Sequence, residues 1–509
     1  MLSPVKGTMA FLLALLFTSC LTDDTTLATR ELSEITLLSG VDSIYNINKN
    51  DTLHIVPLWE QNGSPKSVTV MWEIDQTVVS TEPELVWVAR TLGTYPCRLI
   101  LVNDDGKTFV PFTLNVNTPY EEGITVISVD GNGHSRLSFM LTQTDPHQDN
   151  YFYDYDCFAV NNPDYAFASN VTDMVQSSGS LLVACQGDRT GRDASDVPTI
   201  YYLNAKTFQV ENIVTAPEYP DFIPTRVVVP SEGFEGIGYP VLCENGHVYE
   251  FSTTDGVIAP PVRLRSVYAP SCMQYDGGNS SQFTFLFWDE EVGDLCNIYN
   301  GYGPFYCSKT YHTSLTDIQQ DPTTNFYKGY SLLQIVECRR TLQQRRAGED
   351  VFALVITKSG LALNKTILLA DFWDYDYNSA QNYLRYEGTG ITNAGFGITT
   401  TFGPSTPCIA GCRYHTLFYA AGGKVMKWNY TSTQALAAAT VHATVGSDRA
   451  VITGFEYSAD QSETFVAFYE PDEPGLNGHI WVIDTAEGTL LRRYDNVCYR
   501  PTKIMYKEK

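Results

Sequence analysis

An apolar run, a Gly- or Asn-containing turn and a second β-rich run recur along most of this chain, and that recurrence limits its fold more than any other feature. GHVYEFSTTDG runs from Gly246 to Gly256, GKVMKWNYTST from Gly423 to Thr433 and GHIWVIDTAEG from Gly478 to Gly488. TIYYLNAKTF, from Thr199 to Phe208, follows the same pattern without the glycine. Each is preceded by another apolar run: YPVLCEN, TLFYAAG, TFVAFYE and SLLVACQ respectively. Two such runs joined by Gly or Asn read as a hairpin. The intervals Ile200 to Val248 and Val425 to Ile480 are each on the order of 50 residues, and Val248 to Val425 spans about three such steps. Weaker copies fall near Ser138 (RLSFML), Tyr306 (PFYCS) and Ile367 (KTILLA). Four-stranded units repeated at this spacing build a β-propeller. The expectation is an all-β propeller over residues 119–509 with seven blades; six or eight blades, or one large irregular β-domain, are the alternatives.

Ahead of the repeat, residues 41–118 read as a separate small β unit. DTLHIVPLW, SVTVMWEID, ELVWVA, YPCRLILVND and FVPFTLNV alternate apolar and polar residues, the period of a half-buried strand. QNGSP (Gln61 to Pro65) and NDDG (Asn103 to Gly106) supply turns. Short strands at this spacing predict a β-sandwich, with Trp72 in its core and Tyr95 placed to tie its hydroxyl back to nearby backbone as a tyrosine corner.

The N-terminus raises the question of location. The apolar run Met9 to Phe17 follows Lys6 and precedes Thr18, Ser19 and Cys20. It is too short for the roughly 20 residues of a spanning helix. A basic start, a short apolar core and small residues describe a secretory signal over residues 1–19. The cysteine after them resembles the lipobox of bacterial lipoproteins, with Phe17 in place of the usual leucine; the resemblance implies cleavage before Cys20 and lipidation of it. LTDDTT, after Cys20, is similar to the acidic export signal of surface lipoproteins of Bacteroidota. Residues 20–40 read as a flexible tether.

The chain has 509 residues and a net charge of −25, which repels phosphate and argues against nucleic-acid binding. Charged residues are only 18% and aromatics 13%, so this is a folded acidic chain rather than a disordered one. Twelve cysteines are too few for a disulfide-dependent scaffold of this length. Cys296 and Cys307 flank a turn-rich loop and form a candidate disulfide, Cys408 and Cys412 bracket IAG, and most of the set reads as buried small hydrophobes.

Three features are candidates for function. YDYD (Tyr153 to Asp156) and WDYD (Trp373 to Asp376) look like equivalent aromatic–acidic loops, so Tyr153, Tyr155, Trp373, Tyr375 and Tyr377 are candidate binding residues. Neither stretch has the spacing of a calcium loop, and no metal is expected. ECRRTLQQRRAGED puts Arg339, Arg340, Arg345 and Arg346 close together against the prevailing charge, in a segment compatible with a helical insertion; it is a candidate docking patch for an acidic partner. No H-E-x-x-H or G-x-S-x-G motif occurs, and none of the eight histidines pairs with another at i, i+4. Catalysis and a cofactor are not expected, although paired carboxylates cannot be read from sequence.

The arrangement WEID…LGTYPCRLILVNDDG resembles the PKD-type immunoglobulin-like domain, with Trp72, Asp75, Gly93, Thr94, Tyr95 and Gly106 matching and the rest of the W-D-F-G-D-G core departing from it. The order of lipobox, acidic tether, sandwich and repetitive β region resembles the PKD-like family lipoproteins of Bacteroidota. That resemblance implies a lipid-anchored surface subunit accessory to a SusC-like TonB-dependent transporter and a SusD-like lipoprotein, with an oligopeptide favoured over a glycan as ligand. A surface glycosidase or peptidase with a propeller active site, or a propeller lectin or adhesin, is the alternative.

Overall fold

The computed structural model describes residues 31–49, 51–142, 153–177, 179–229, 238–252, 255–268, 272–275, 282–291, 293–299, 302–306, 329–341, 343, 352–360, 362–376, 381–388, 392–393, 402–431 and 439–507. The chain divides into two compact units, Met1–Thr118 and Pro119–Lys509.

In the first unit, alternation of side chains builds a five-stranded sheet in the order Ile44–Asn48, Gly106–Asn117, Gly93–Asn103, Thr69–Ile74, Thr77–Ser80. Its first pair is parallel and the others antiparallel. Along Thr69–Ile74, Val70, Trp72 and Ile74 turn inward. They meet Leu53 and Leu85 of a second, two-stranded pair, Thr52–Ile55 with Leu85–Val88. Asp75 and Gln76 join Thr69–Ile74 to Thr77–Ser80 with φ of 47° and 63°, the left-handed pair that a two-residue hairpin demands. The Tyr95 hydroxyl donates back to the carbonyls of Thr91 (2.9 Å) and Leu92 (3.1 Å), as its position in the sequence predicts.

This unit starts earlier than residue 41. Ile35–Ser39 pairs antiparallel with Leu58–Gln61, and Ile35 enters the core. Ser33 is buried: its N–H donates to Asp105 (3.0 Å), its hydroxyl to Gln61 (2.8 Å), and its carbonyl accepts from Asn103 (2.6 Å). The end of the expected tether is therefore a strand, because ITLLS carries just enough apolar surface to complete the core.

The second unit is a succession of four-stranded antiparallel meanders. Val171–Ser177, Ser180–Cys185, Thr199–Asn204 and Val210–Thr215 form one. Pro224–Val227, Gly238–Cys243, His247–Ser252 and Val257–Tyr268 follow. Next come Cys272–Tyr275, Gln282–Asp289, Asp294–Tyr299 and Tyr302–Tyr306; then Ser331–Arg339, Phe352–Ser359, Ala362–Asp376 and Gln381–Gly388. Cys408–Gly411, Thr416–Ala421, Lys424–Asn429 and Thr440–Thr444 precede Val451–Tyr457, Glu463–Tyr469, Gly478–Asp484 and Leu490–Cys498. The remaining sheet joins the two ends of the unit: Arg500–Lys507 pairs with Gly123–Val129, which pairs with Ser135–Met140 and through it with Tyr153–Asp154. Meanders closed into a ring by one sheet built from both ends are a β-propeller.

Packing explains the sequence pattern. Along Ser180–Cys185, Leu181 and Val183 face a core shared with Leu137 and Phe139 of the closing sheet, while Leu182 and Ala184 face a core shared with Val241 and Phe251 of the next. Along Glu463–Tyr469, Phe465 and Ala467 turn one way, Val466 and Phe468 the other. These second strands are buried on both faces, so SLLVAC and TFVAFYE read as continuous apolar runs. Each fully buried Leu, Val or Phe contributes about 1.5–3 kcal/mol relative to exposure, and that drives the sheets face to face.

Three expectations need correction. Of the weaker repeats, RLSFML and KTILLA lie in third strands, but the PFY of PFYCS lies in an outer strand, Tyr302–Tyr306, paired to the true third strand Asp294–Tyr299. YDYD and WDYD are not equivalent loops: Tyr153–Asp154 is an outermost strand and Trp373 to Asp376 ends a third strand, Ala362–Asp376. The expected helical insertion cannot include Glu337 to Arg339, which end the first strand Ser331–Arg339, while residues 342 and 344–350 of that segment lie outside the described residues. Among the described residues, no helix is long and apolar enough to cross a membrane.

Candidate functional site

First strands of neighbouring meanders lie against one another: Val171–Ser177 meets Pro224–Val227 and Arg500–Lys507, Val451–Tyr457 meets Cys408–Gly411 and Arg500–Lys507, and Ser331–Arg339 and Cys408–Gly411 come close enough to pair in parallel. Five of these strands bring charge to one place: Asp173 from Val171–Ser177, Arg226 from Pro224–Val227, Arg339 from Ser331–Arg339, Glu456 from Val451–Tyr457 and Lys503 from Arg500–Lys507.

Two ion pairs organise the cluster. The Lys503 ammonium donates to Asp173 Oδ1, and Asp173 Oδ2 accepts the Val227 N–H at 2.8 Å, so one carboxylate ties three successive sheets. The Arg339 guanidinium donates to Glu456 Oε1, which also accepts the Tyr457 N–H at 2.9 Å. The Arg339 carbonyl accepts from Cys412 N–H (2.9 Å) and from Gln461 Nε2 (2.5 Å), which pins the strand end beneath the guanidinium. Gly411 leaves room for this: a Cβ there would lie 2.7 Å from Gln461 Oε1 and 3.0 Å from the Tyr457 ring.

The electrostatics join the two pairs. Loss of water around the Lys503 ammonium lowers its pKa below the ordinary lysine value; Asp173 opposes that shift, while the positive charges of Arg226 and Arg339 add to it. Cys408, on the innermost strand, has its thiol pushed up to about 12 by burial, against a small opposing pull from Arg226. Two cations from other strands thus act on Lys503.

Accessibility separates the signs. The side chains of Asp173 and Glu456 keep 4% and 8% of their surface, whereas those of Lys503 and Arg339 keep 29% and 40%. Arg226 is half-buried. The carboxylates are internal struts, and in each pair the cation is the more accessible partner.

Of the residues singled out in the sequence, Arg339 belongs to this cluster, ion-paired to Glu456 with 40% of its side-chain surface accessible. Arg340 follows it, half-buried; Arg345 and Arg346 lie outside the described residues. The Tyr153 hydroxyl donates to the Val497 carbonyl and anchors the closing sheet. Tyr155 is exposed, and the Arg136 guanidinium sits between its ring (5.1 Å) and that of Tyr499 (4.8 Å) while pairing with Asp156 at 3.6 Å. Trp373 and Tyr375 are described in backbone only, and Tyr377 lies outside the described residues, as do Cys20 and Cys307. Cys296 lies in Asp294–Tyr299, opposite Tyr306. Cys412 donates instead to the Cys338 carbonyl (3.1 Å), with the Tyr430 hydroxyl beside both thiols. Among the described residues, no group of three or more His, Cys, Asp or Glu could hold a metal ion.

Asp173, Arg226, Glu456 and Lys503 were not singled out in the sequence. Their signal is a charge with uncharged residues on either side within a first strand: VTDMV, PTRVVV, GFEY and PTKIMY. A charge in that setting is rarely buried unless paired.

No family model matches the chain, and no curated protein matches it. Among solved structures it is similar to a quinonprotein alcohol dehydrogenase-like protein from Bacteroides thetaiotaomicron, at 16% identity and a TM-score of 0.44 over 94% of this chain and 100% of that one. It is also similar to the Cps50 (Swd1) β-propeller domain of Myceliophteria thermophila, at 11% identity and a TM-score of 0.35 over 65% of this chain and 89% of that one. The C-terminal WD40 domain of Sif2 is similar at 12% identity and a TM-score of 0.38, over 74% and 84%. Likeness at these scores carries no conclusion about activity.

Proposed function

We propose that this chain is a surface-exposed outer-membrane lipoprotein, anchored through Cys20, that acts as a non-catalytic accessory and binding subunit beside a SusC-like TonB-dependent transporter and a SusD-like lipoprotein. In this reading the first unit is a PKD-like immunoglobulin-like spacer, and the meanders of the second count as seven blades. The nutrient it helps to capture is an oligopeptide in preference to a glycan.

The observation that carries the binding role is the axial cluster. Lys503 pairs with Asp173 and Arg339 with Glu456, with the cation the more accessible partner in each pair, and in this reading the cluster serves binding rather than chemistry. The groups that could attack a substrate point the same way. Burial raises the thiol pKa of Cys185, Cys338, Cys408 and Cys498, which keeps them protonated and poorly nucleophilic near neutral pH. The lipobox resemblance at Cys20 and the PKD-like match from Trp72 to Gly106 support the location and the spacer.

The test is a gentle detergent extraction of the native outer membrane with a pull-down through a C-terminal tag, read by mass spectrometry. A stoichiometric SusC/SusD-like pair is the expected result. A lone lipoprotein, even after crosslinking, overturns the accessory role.

A further inference from the structure

His479 sits where its own charge decides what it can bind. It lies in Gly478–Asp484 with 6% of its side chain accessible, its ring stacked on the uncharged Phe468 of Glu463–Tyr469 at 5.0 Å between centres. Nδ1 lies 3.2 Å from Asp495 Oδ1, and Nε2 lies 3.1 Å from Glu473 Oε2. A neutral imidazole has one N–H and one lone pair, so only the imidazolium donates to both carboxylates. The Asn496 N–H also points at Nδ1 (3.3 Å), which accepts that bond only when it carries no hydrogen. Asp495 is fixed on Leu490–Cys498: it accepts from Trp481 Nε1 at 2.9 Å and pairs with Arg493 at 2.8 Å. Burial would raise the Asp495 pKa, but the bonds from His479 and Trp481 and the charge of Arg493 bring it down to about 2, so it remains a carboxylate. Glu473, with 44% of its side chain accessible, belongs instead to the turn of residues 470–477. It also accepts from Asn496 Nδ2 (2.9 Å), which donates to the Leu476 carbonyl as well (2.7 Å). The turn's other acids are held elsewhere: Glu470 accepts from the Ser447 N–H and hydroxyl (2.6 Å each), and Asp472 pairs with Arg449.

We propose that His479 is a proton-operated latch on this turn: the charged ring clamps residues 470–477 against Leu490–Cys498, and loss of its proton slackens the clamp. Both neutral forms weaken the same side. With the hydrogen on Nδ1, Nε2 turns a lone pair on Glu473. With it on Nε2, the bond to Glu473 survives without the ring's positive charge, while Nδ1 exchanges Asp495 for the Asn496 N–H. Trp481 and Arg493 keep Asp495 in place, so Glu473, the more accessible carboxylate, is the one able to swing out. Ser447 and Arg449 tie the same turn to the connection between Thr440–Thr444 and Val451–Tyr457, so the latch acts where two successive sheets meet. Imidazole changes its charge between about pH 5 and 8, and the turn tightens toward the lower end of that range. The latch stands apart from the accessory role and from the axial cluster.

The experiment follows hydrogen exchange by mass spectrometry on the full chain in detergent at about pH 5.5 and about pH 8, with exchange times scaled for the intrinsic effect of pH. Peptides over 470–477 report the turn, whose Glu470 and Glu473 N–H groups donate to the Asn477 and Glu470 carbonyls; peptides over Ser180–Cys185 are the control. Protection of the turn is expected to fall at least about threefold from the lower to the higher pH, with the control unchanged. His479→Gln, which cannot take up a proton, should show the weaker protection at both pH values. Glu473→Gln, on an accessible side chain, should likewise remove most of the pH dependence, and it keeps the test if His479→Gln fails to fold. Melting temperatures record which variants fold. Equal protection of the turn at both pH values, an equal change in the control peptides, or a folded variant of either kind that keeps the parent's pH dependence overturns the latch.

Discussion

Lys503 and Asp173 stand 330 residues apart in the chain and form an ion pair at the propeller axis. The pair is made only once the ring has closed, because Lys503 arrives on the strand that joins the two ends of the unit. Asp173→Ala would leave the ammonium unmatched and the Val227 N–H without its acceptor. Breaking one side of a buried pair costs about 3–5 kcal/mol, and the 29% access of Lys503 puts the expected loss at the lower end. Asp173→Asn keeps an acceptor for Val227 N–H and should lose less. Urea unfolding of the two variants checks both the size and the order; equal losses would mean that the charge contributes nothing.

Lys507 provides a pH signature for the same closing strand. It is buried, donates to the carbonyls of Tyr120 and Ala205 and lies 4.9 Å from the centre of the Phe208 ring. Burial, chiefly, pulls its pKa down to about 8. A lysine held below its unfolded value costs stability wherever the folded state must carry the charge, and that cost lifts as pH rises from about 8 to about 10.5. Other buried groups titrate in the same window, so the measurement is a difference. The stability of the parent relative to Lys507→Met should rise by up to about 3 kcal/mol across that window. A flat difference would place the ammonium in water.

The glycine that opens the repeat at Gly478 has a steric cause. A Cβ there would lie 2.1 Å from the Tyr499 carbonyl oxygen and 2.6 Å from Cys498 Sγ. Backbone cannot yield as a side-chain tip can, so Gly478→Ala should destabilise by about 3 kcal/mol, the upper end of overpacking costs. Gly423, at the equivalent repeat position, has its nearest such contact at 2.9 Å, from the Val445 carbonyl, and Gly423→Ala should cost less. Thermal melting of the two variants side by side gives the comparison.

Local pattern made the strands legible, and long-range partnership hid the site. SLLVAC and TFVAFYE stand out because burial on both faces leaves no polar position to interrupt them. Tyr95 could be assigned from its offset to Cys97 because a tyrosine corner closes within four residues. PFYCS misled because third and fourth strands of a meander share one composition, and only pairing with Asp294–Tyr299 distinguishes them. Ile35 falls within the expected tether because a five-residue strand has too few alternations to register. The axial charges were invisible for a different reason: Asp173 needs Lys503 and Val227, and Glu456 needs Arg339, partners that no window along the chain contains.

Trp72 and Tyr95 divide the stability of the first unit between packing and a hydrogen bond. Trp72 has no exposed surface, meets Phe112 edge-on at 6.3 Å between ring centres and donates from Nε1 to the Glu82 carbonyl at 3.0 Å. Trp72→Ala would leave a large cavity and an unmatched carbonyl, at an expected cost of about 3–5 kcal/mol. Tyr95→Phe keeps the ring beside Gly93 and removes only the hydroxyl that reaches Thr91 and Leu92, at an expected cost of about 1 kcal/mol. Hydrogen exchange followed on peptides from Thr69–Ile74 and Gly93–Asn103 reads both losses where they occur. Trp72→Ala should raise exchange across both strands together, and Tyr95→Phe should raise it modestly. If the two substitutions had equal effects, the hydroxyl would be carrying far more than one hydrogen bond, and the core assignment of Trp72 would have to be given up.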